Sequence, residues 1–149
     1  MKYAHESFTN VKEEIKPLLQ QHWEEIALNQ EDIKLEPDWH RYAMLADQGI
    51  LRIYTAREDG ELKGYFVVMV MPSLHYSSHL FATNDILFLK KECRKGTTGI
   101  KLIKYAVENL KAIGTKLVHI NVKKKQDFGV ILDRLGFEHI ENVWQLKAN

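Results

Sequence analysis

Val11, Ile15, Leu18, Leu19, Trp23 and Ile26 recur at helical spacing, a stripe that predicts an amphipathic helix with one face on a core. Asn10-Val11-Lys12-Glu13 reads as a capping box opening it, and Pro17 inside the stripe predicts either a kink or the start of a second segment. "EPDWHRYAMLADQG" predicts a shorter helix, with Asp38 near its start and Gly49 just past its end. From Ile50 the period shortens. "ILRIYTARE" reads as a strand, "DG" as a hairpin turn and "LKGYFVVMVMP" as the returning strand. "HLFATNDILFLK" predicts one or two further strands. "GTTGIKLIKYAVENLKAIG" predicts a helix with Ile100, Ile103, Ala106, Val107 and Leu110 on one face and Gly114 at its end. "KLVHINVK" reads as a fully buried strand, "DFGVILDRLG" as a short helix and "FEHIENVWQLK" as a final strand. The order is two helices, about three antiparallel strands and a β-α-β-α-β tail, a mixed α/β layer arrangement in one domain, 1–149.

Composition narrows the classes. A chain of 149 residues, 45% apolar and 28% charged, can bury a core and is not compositionally disordered. A net charge of +1 lacks the basic footprint of nucleic-acid binding. Cys93 is the single cysteine, which excludes an intrachain disulfide framework and fits a reducing compartment. No apolar run approaches the roughly 20 residues of a membrane span, and "MKYAHESFTN" has no signal-peptide apolar core. A cytoplasmic protein with no membrane association is the expectation.

The candidate chemistry lies in "ILFLKKECRKGTTGIKLI", where a strand ends and a helix begins across a Gly/Thr cluster. Helix N-termini carry unpaired N–H groups and partial positive charge, so this junction suits an anion. Gly96 and Gly99 allow close backbone approach, and Arg94 and Lys95 add cationic contacts. A pyrophosphate fits all of these features. Neither the P-loop spacing nor the dinucleotide Gly-x-Gly-x-x-Gly spacing is present. Glycines that serve only a tight strand-to-helix turn are the plain alternative.

"CRKGTTGIKLI" after "ILFLKKE" resembles the acetyl-CoA-binding motif of the GNAT N-acetyltransferase superfamily, an Arg/Gln-x-x-Gly-x-Gly/Ala loop between the fourth strand and a long helix. Arg94 matches the first position and Gly99 the last, while Thr97 stands where the central glycine is usual. "KLVHINVK" with "FGVILDRLGFEHI" is similar to the family's following strand and its "Asn…Tyr-x-x-Leu-Gly-Phe" segment through Asn121, Leu135, Gly136 and Phe137. "DGELKGYFVVMV" resembles its second hairpin. The resemblance is densest over residues 60–140. It implies a mostly antiparallel twisted sheet of six to seven strands, flanked by about four helices and splayed between strands 4 and 5.

It also implies a reaction, transfer of an acetyl group from acetyl-CoA to a primary amine by direct attack in a ternary complex. The pantetheine arm would lie along Leu87, Phe88 and Leu89, with a backbone N–H near Leu89 holding the developing oxyanion. The pyrophosphate would sit on the amides of Lys95, Gly96, Thr97, Thr98 and Gly99, beside Arg94, with Asn121 on the following strand. Asp85 shares strand parity with Leu87 and Leu89 and is the first candidate base. Trp39, His75, Tyr76 and His79 would line the acceptor side. The family's acidic Tyr is replaced by Leu132, with water, Tyr105 or Tyr76 as substitutes. Cys93, beside Arg94, is expected to have a lowered pKa without acting as a nucleophile. No metal is implied. The partner is a small-molecule or peptide amine, and family members often dimerise through late strands, which implies a homodimer as an assembly. Two other readings stand beside the enzyme: a non-catalytic module that keeps the fold, to which Thr97 and Leu132 point, and a nucleic-acid adaptor built on "KKECRK" and "VKKKQ", which lacks interleaved aromatics.

Overall fold

A computed structural model describes residues 1–149. The chain opens with a strand, β1 (Lys2–Glu6), then two helices, α1 (Phe8–Ile26) and α2 (Trp39–Asp47). Strands β2 (Leu51–Glu58), β3 (Glu61–Pro72) and β4 (Leu80–Leu89) follow, then α3 (Thr98–Ala112), β5 (Thr115–His119) and α4 (Gly129–Arg134). The strands form one sheet in the order β1-β2-β3-β4-β5, antiparallel except for the parallel β4–β5 pair.

Alternation along the central strands divides the core between the two faces of the sheet. Ile53, Tyr65, Val67 and Phe88 pack with Val11, Ile15 and Leu19 of α1. Tyr54, Phe66, Val68 and Ala82 pack with Leu102, Ala106 and Leu110 of α3. A central sheet covered on both sides needs strands apolar on both faces, and the long buried run in β3 meets that need. The β2–β3 hairpin turns on Asp59 (φ 50°) and Gly60 (φ 82°), a left-handed pair whose twist matches the flanking strands.

Several expectations change. Ser7, not Asn10, caps α1: its hydroxyl accepts the Asn10 N–H at 3.3 Å. The helix continues through Pro17, whose ring lies on the exposed side, and His22 rather than Trp23 takes the buried place in its later turns. The sheet has five strands, not six to seven. β1 was not legible, and "FEHIENVWQLK" forms no strand: residues 137–149 are irregular and mostly exposed. Apolar positions there fall at Phe137, Ile140, Val143, Trp144 and Leu146, which is not the period of two a half-buried strand requires. β5 is short and an edge strand, so it is not fully buried; Leu117 is 46% exposed. No helix is long and apolar enough to cross a membrane.

Candidate functional site

β4 and β5 pair only from Leu80↔Thr115 to Thr83↔His119. One residue on, the Asn84 side chain replaces the ladder: its Oδ1 accepts the Asn121 N–H at 2.7 Å and its Nδ2 donates to the Asn121 carbonyl at 3.3 Å. Beyond this clamp β4 has no strand beside it on the β5 side. The Lys90 N–H bonds the Lys63 carbonyl at 2.8 Å, so by strand alternation the N–H and C=O of Leu89, and of Leu87, project away from β3 toward the open edge. Asn84 carried no signal in the sequence beyond its place beside Asp85.

Phe88 does not share that edge. It pairs with Tyr65 of β3, and its ring is buried on the α1 face, while Leu87 and Leu89 pack toward α3. The expected run of three contacts therefore reduces to the two residues of one parity.

The open edge ends at a turn that leads into α3. Gly96 has φ +95° with open space where a Cβ would be. Thr97 occupies the N-cap position, but its side chain makes no capping hydrogen bond, so the first amides of α3 have no side-chain acceptor. A Cβ at Gly99 would lie 3.2 Å from Leu89 Cδ1, which brings the helix start close against the end of β4. Lys95 is exposed beside it. An uncapped helix terminus, a glycine needing positive φ and a strand edge left open at Leu87 and at the Leu89 N–H fit a diphosphate followed by an extended amide-bearing arm.

Arg94 is committed elsewhere. Its Nε donates to the Leu89 carbonyl at 2.8 Å, its Nη2 to Glu25 Oε2 at 2.7 Å, and its guanidinium stacks 5.6 Å from the Phe88 ring centroid. Burial pushes the Glu25 carboxyl up, yet the hydrogen bond and charge of Arg94 carry it below its ordinary value. The arginine fixes the strand-to-helix turn to α1 rather than reaching outward. Cys93 also departs from expectation: burial, then the Glu92 charge, push its thiol up.

Asp85 sits on the face opposite Leu87 and Leu89, because β4 carries a bulge. Val67 pairs with Ile86 but Val68 with Asn84, leaving Asp85 as the extra residue. Its carboxylate reaches α2, where Oδ2 accepts the Tyr42 hydroxyl at 2.6 Å. Burial, then the accepting carboxylate, raise the Tyr42 phenol well above its usual range. The fully buried Tyr65 hydroxyl has no hydrogen-bond partner, and burial, then Tyr42 and Asp85, raise it too.

Trp39 joins this group, its ring 5.4 Å from Tyr42 and 6.2 Å from Phe8. His75, Tyr76 and His79 do not. They lie exposed on the β3–β4 connection, with Tyr76 on Phe81 and Phe81 on His119, and Asp85 is five residues into β4 from Leu80, roughly 16 Å along the strand. Tyr105 packs on Tyr3 of β1 and Tyr54 of β2, and Leu132 is buried. Tyr42 and Tyr65 were missed as site residues because only the bulge brings Asp85 to their face.

No protein-family model and no curated protein matches the chain. Solved structures do. A ribosomal-protein-alanine N-acetyltransferase from Brucella melitensis biovar Abortus 2308 superposes with a TM-score of 0.73 at 15% identity, over 99% of each chain. A predicted acetyltransferase with acetyl-CoA from Clostridium acetobutylicum gives 0.75 at 12% identity, over 98% of this chain and 95% of that one. A transcriptional regulator from Bacillus halodurans C-125 gives 0.75 at 16% identity, over 98% of each chain. The fold of this chain is that of the GNAT acetyltransferases.

Proposed function

We propose that this GNAT-fold protein is an acetyl-CoA-dependent N-acetyltransferase acting on a primary amine. The observation that carries the reading is the uncapped N-terminus of α3 at the mouth of the unpaired β4 edge. The amides of Lys95–Gly99 hold the diphosphate, with Lys95 adding charge, and the main chain of Leu87 pairs with the pantetheine arm. Asn121 lies across the gap, its backbone held by Asn84. Acetyl-CoA supplies an acyl group activated as a thioester.

The Leu89 N–H faces the open edge and offers a fixed donor to the thioester oxygen, one that needs no reorganisation. Asp85, on the opposite face, receives the proton that the acceptor ammonium must lose, directly or through water. The net change forms one amide C–N bond, breaks the C–S bond and leaves the second amine proton on the sulfur. Water supplies protonation there, since Leu132 carries no acid and Tyr105 lies elsewhere. Arg94 acts as a positioning residue for the turn.

A non-catalytic reading is favoured by two observations, the engagement of Arg94 by Glu25 and the burial of Leu132. Calorimetry with acetyl-CoA and a thiol-release assay over an amine panel separate the readings. Thr98→Glu is the informative variant: at the first position of α3 a carboxylate favours the helix but opposes a bound diphosphate. The expected result is at least a tenfold loss of coenzyme affinity with an unchanged melting temperature. Equal affinity in the variant removes the cradle, and coenzyme binding without turnover of any amine selects the non-catalytic module.

A further inference from the structure

Beneath α2, on the sheet face that carries Asp85, a small cavity of ≈ 10 Å³ lies among Phe8, Ile15, Leu19, Ile53, Val67 and Ile86. Trp39 and Tyr42 roof it from α2, Tyr65 contributes its floor, and all nine lining residues are hydrophobic. The space holds about one water. Two features make it more than a packing defect. The Tyr65 hydroxyl is fully buried without a partner while the Tyr65 side chain lines the cavity, and an orphaned buried hydroxyl costs about 1–3 kcal/mol. The roof is also weakly held: no residue of α2 is buried, and the helix ends at Gln48 before Gly49, which has φ +73°.

The charge pattern restricts what could enter. Asp85 is the carboxylate at the rim, and its one hydrogen-bond partner is the Tyr42 hydroxyl. A polycation would meet a single anion and an apolar wall. A phosphorylated or polyhydroxylated amine would leave its polar groups unpaired against that wall, at a cost of some kcal/mol each. A single ammonium on an aliphatic or aromatic body satisfies both parts, placing charge on Asp85 and carbon on the cavity.

We propose that the acceptor of this protein is a primary monoamine carried on an apolar body, and that Tyr42 holds Asp85 until the ammonium of that amine displaces its hydroxyl. α2 lifts as the body enters, and Trp39 and Tyr42 close over it with the Tyr65 side chain beneath. Tyr42 is a positioning residue here. The inference deepens the transferase reading and rests on it for the chemistry, though not for the binding.

The test is calorimetry on the full chain with phenethylamine, its uncharged counterpart phenethyl alcohol, spermidine and glucosamine 6-phosphate, with acetyl-CoA titrated separately. Phenethylamine is expected to bind at least about tenfold more tightly than the other three, the difference from the alcohol being one charge-assisted contact. Asp85→Asn, a change at an exposed position, should bring phenethylamine down to the affinity of the alcohol and leave the alcohol unchanged. Tyr42→Phe keeps the ring and removes the competing donor, so phenethylamine should bind several-fold more tightly. Tighter binding of spermidine or the phosphosugar overturns the proposal, as does an amine-over-alcohol ratio that survives Asp85→Asn. The two layers separate cleanly. Phenethylamine binding without coenzyme binding overturns the transferase reading and leaves the pocket assignment standing. Coenzyme binding with no apolar amine bound does the reverse.

Discussion

His22 occupies a late buried turn of α1, its ring tilted on Phe88 at a centroid distance of 5.3 Å. Burial, aided by Arg94 and Lys123 against the opposing pull of Glu25, lowers it to about 4. A free histidine titrates near 6.5, so the unfolded chain takes up a proton before the folded one does. The stability that neutral His22 allows is complete above the unfolded value and is lost as pH falls from there toward about 4. Urea denaturation should lose about 1 kcal/mol between about pH 7 and pH 5, after allowance for the partial hydration of the ring. His22→Leu should reduce that loss, leaving the smaller share of His5, which burial and then Arg52 also lower. A slope unchanged by the substitution assigns the pH dependence elsewhere. The same scale explains the one reversal among the candidate catalytic residues. Asp85 has the parity of Leu87 and Leu89 by counting, and a single unpaired residue turns it to the other face, where Tyr42 and Tyr65 await it. Side-chain period is the whole content of such a count, and a bulge changes it without leaving a composition mark.

At the scale of elements, the site depends on how closely β3, β4 and α3 approach one another around Leu89. A Cβ on Gly64 would come 2.3 Å from Leu89 Cδ2 and 2.8 Å from the Phe88 carbonyl oxygen, whereas one on Gly99 meets Leu89 Cδ1 at 3.2 Å. The first contact includes backbone and can be relieved only by parting the strands; the second is relieved by a small side-chain shift. Gly64→Ala should therefore cost about 2–3 kcal/mol in a denaturant titration. Gly99→Ala should be close to neutral, because the gain in helix propensity offsets the contact. Similar midpoints for the two variants would show that the strand pair is less tightly closed than the distances indicate. Most of these elements were legible because each is long enough to display its period: the "DG" hairpin, the α3 helix and the Asp38 cap appear where the residues put them, although Leu102 takes the buried place in α3 and Ile100 and Val107 are only partly covered. The failures share a cause. β1 is five residues of mixed polarity whose place comes from pairing with β2, and "FEHIENVWQLK" has β-forming residues but no partner strand in the sheet. Pairing across the chain is tertiary information. The glycine turn into α3 was readable because backbone and glycine make it locally. The surroundings of Asp85 were not, because α2 and β4 meet there from distant parts of the sequence.

Over the whole molecule, the open edge of β4 adjoins the sheet face that carries Asp85, and the sheet must hold the two in register although two of its five strands have only five residues. β5 is held at the clamp made by Asn84. β1 is held by charge. Arg57 of β2 donates from Nε to Glu6 of β1 at 2.8 Å, from Nη2 to Glu14 of α1 at 2.8 Å and from Nη1 to the Gly60 carbonyl at 2.9 Å, so one side chain joins strand, helix and hairpin. Burial raises Glu6, but hydrogen bonds from Arg57 and Thr55 bring it below its ordinary value; Glu14 is lowered chiefly by its hydrogen bond to Arg57. Carboxyls depressed in the folded state stabilise it fully above the unfolded value near 4.5, and that contribution is lost as pH falls through the lower folded values. Arg57→Met keeps much of the side-chain volume and removes the charge. The Glu6 and Arg57 side chains are each 18% exposed and the Glu14 side chain is 42% exposed, intermediate between surface pairs worth under about 1 kcal/mol and buried ones whose rupture costs about 3–5. The variant should thus lose about 2 kcal/mol at neutral pH, with the gap to the parent narrowing steadily below about pH 4.5 as both acids protonate and the arginine loses its partners. Amide hydrogen exchange should place that loss in β1 and the first turns of α1, leaving β3, β4 and α3 protected. A gap that stays constant into acid would mean that Arg57 acts through its packing alone, and the sheet edge would then owe its order to the apolar face of α1.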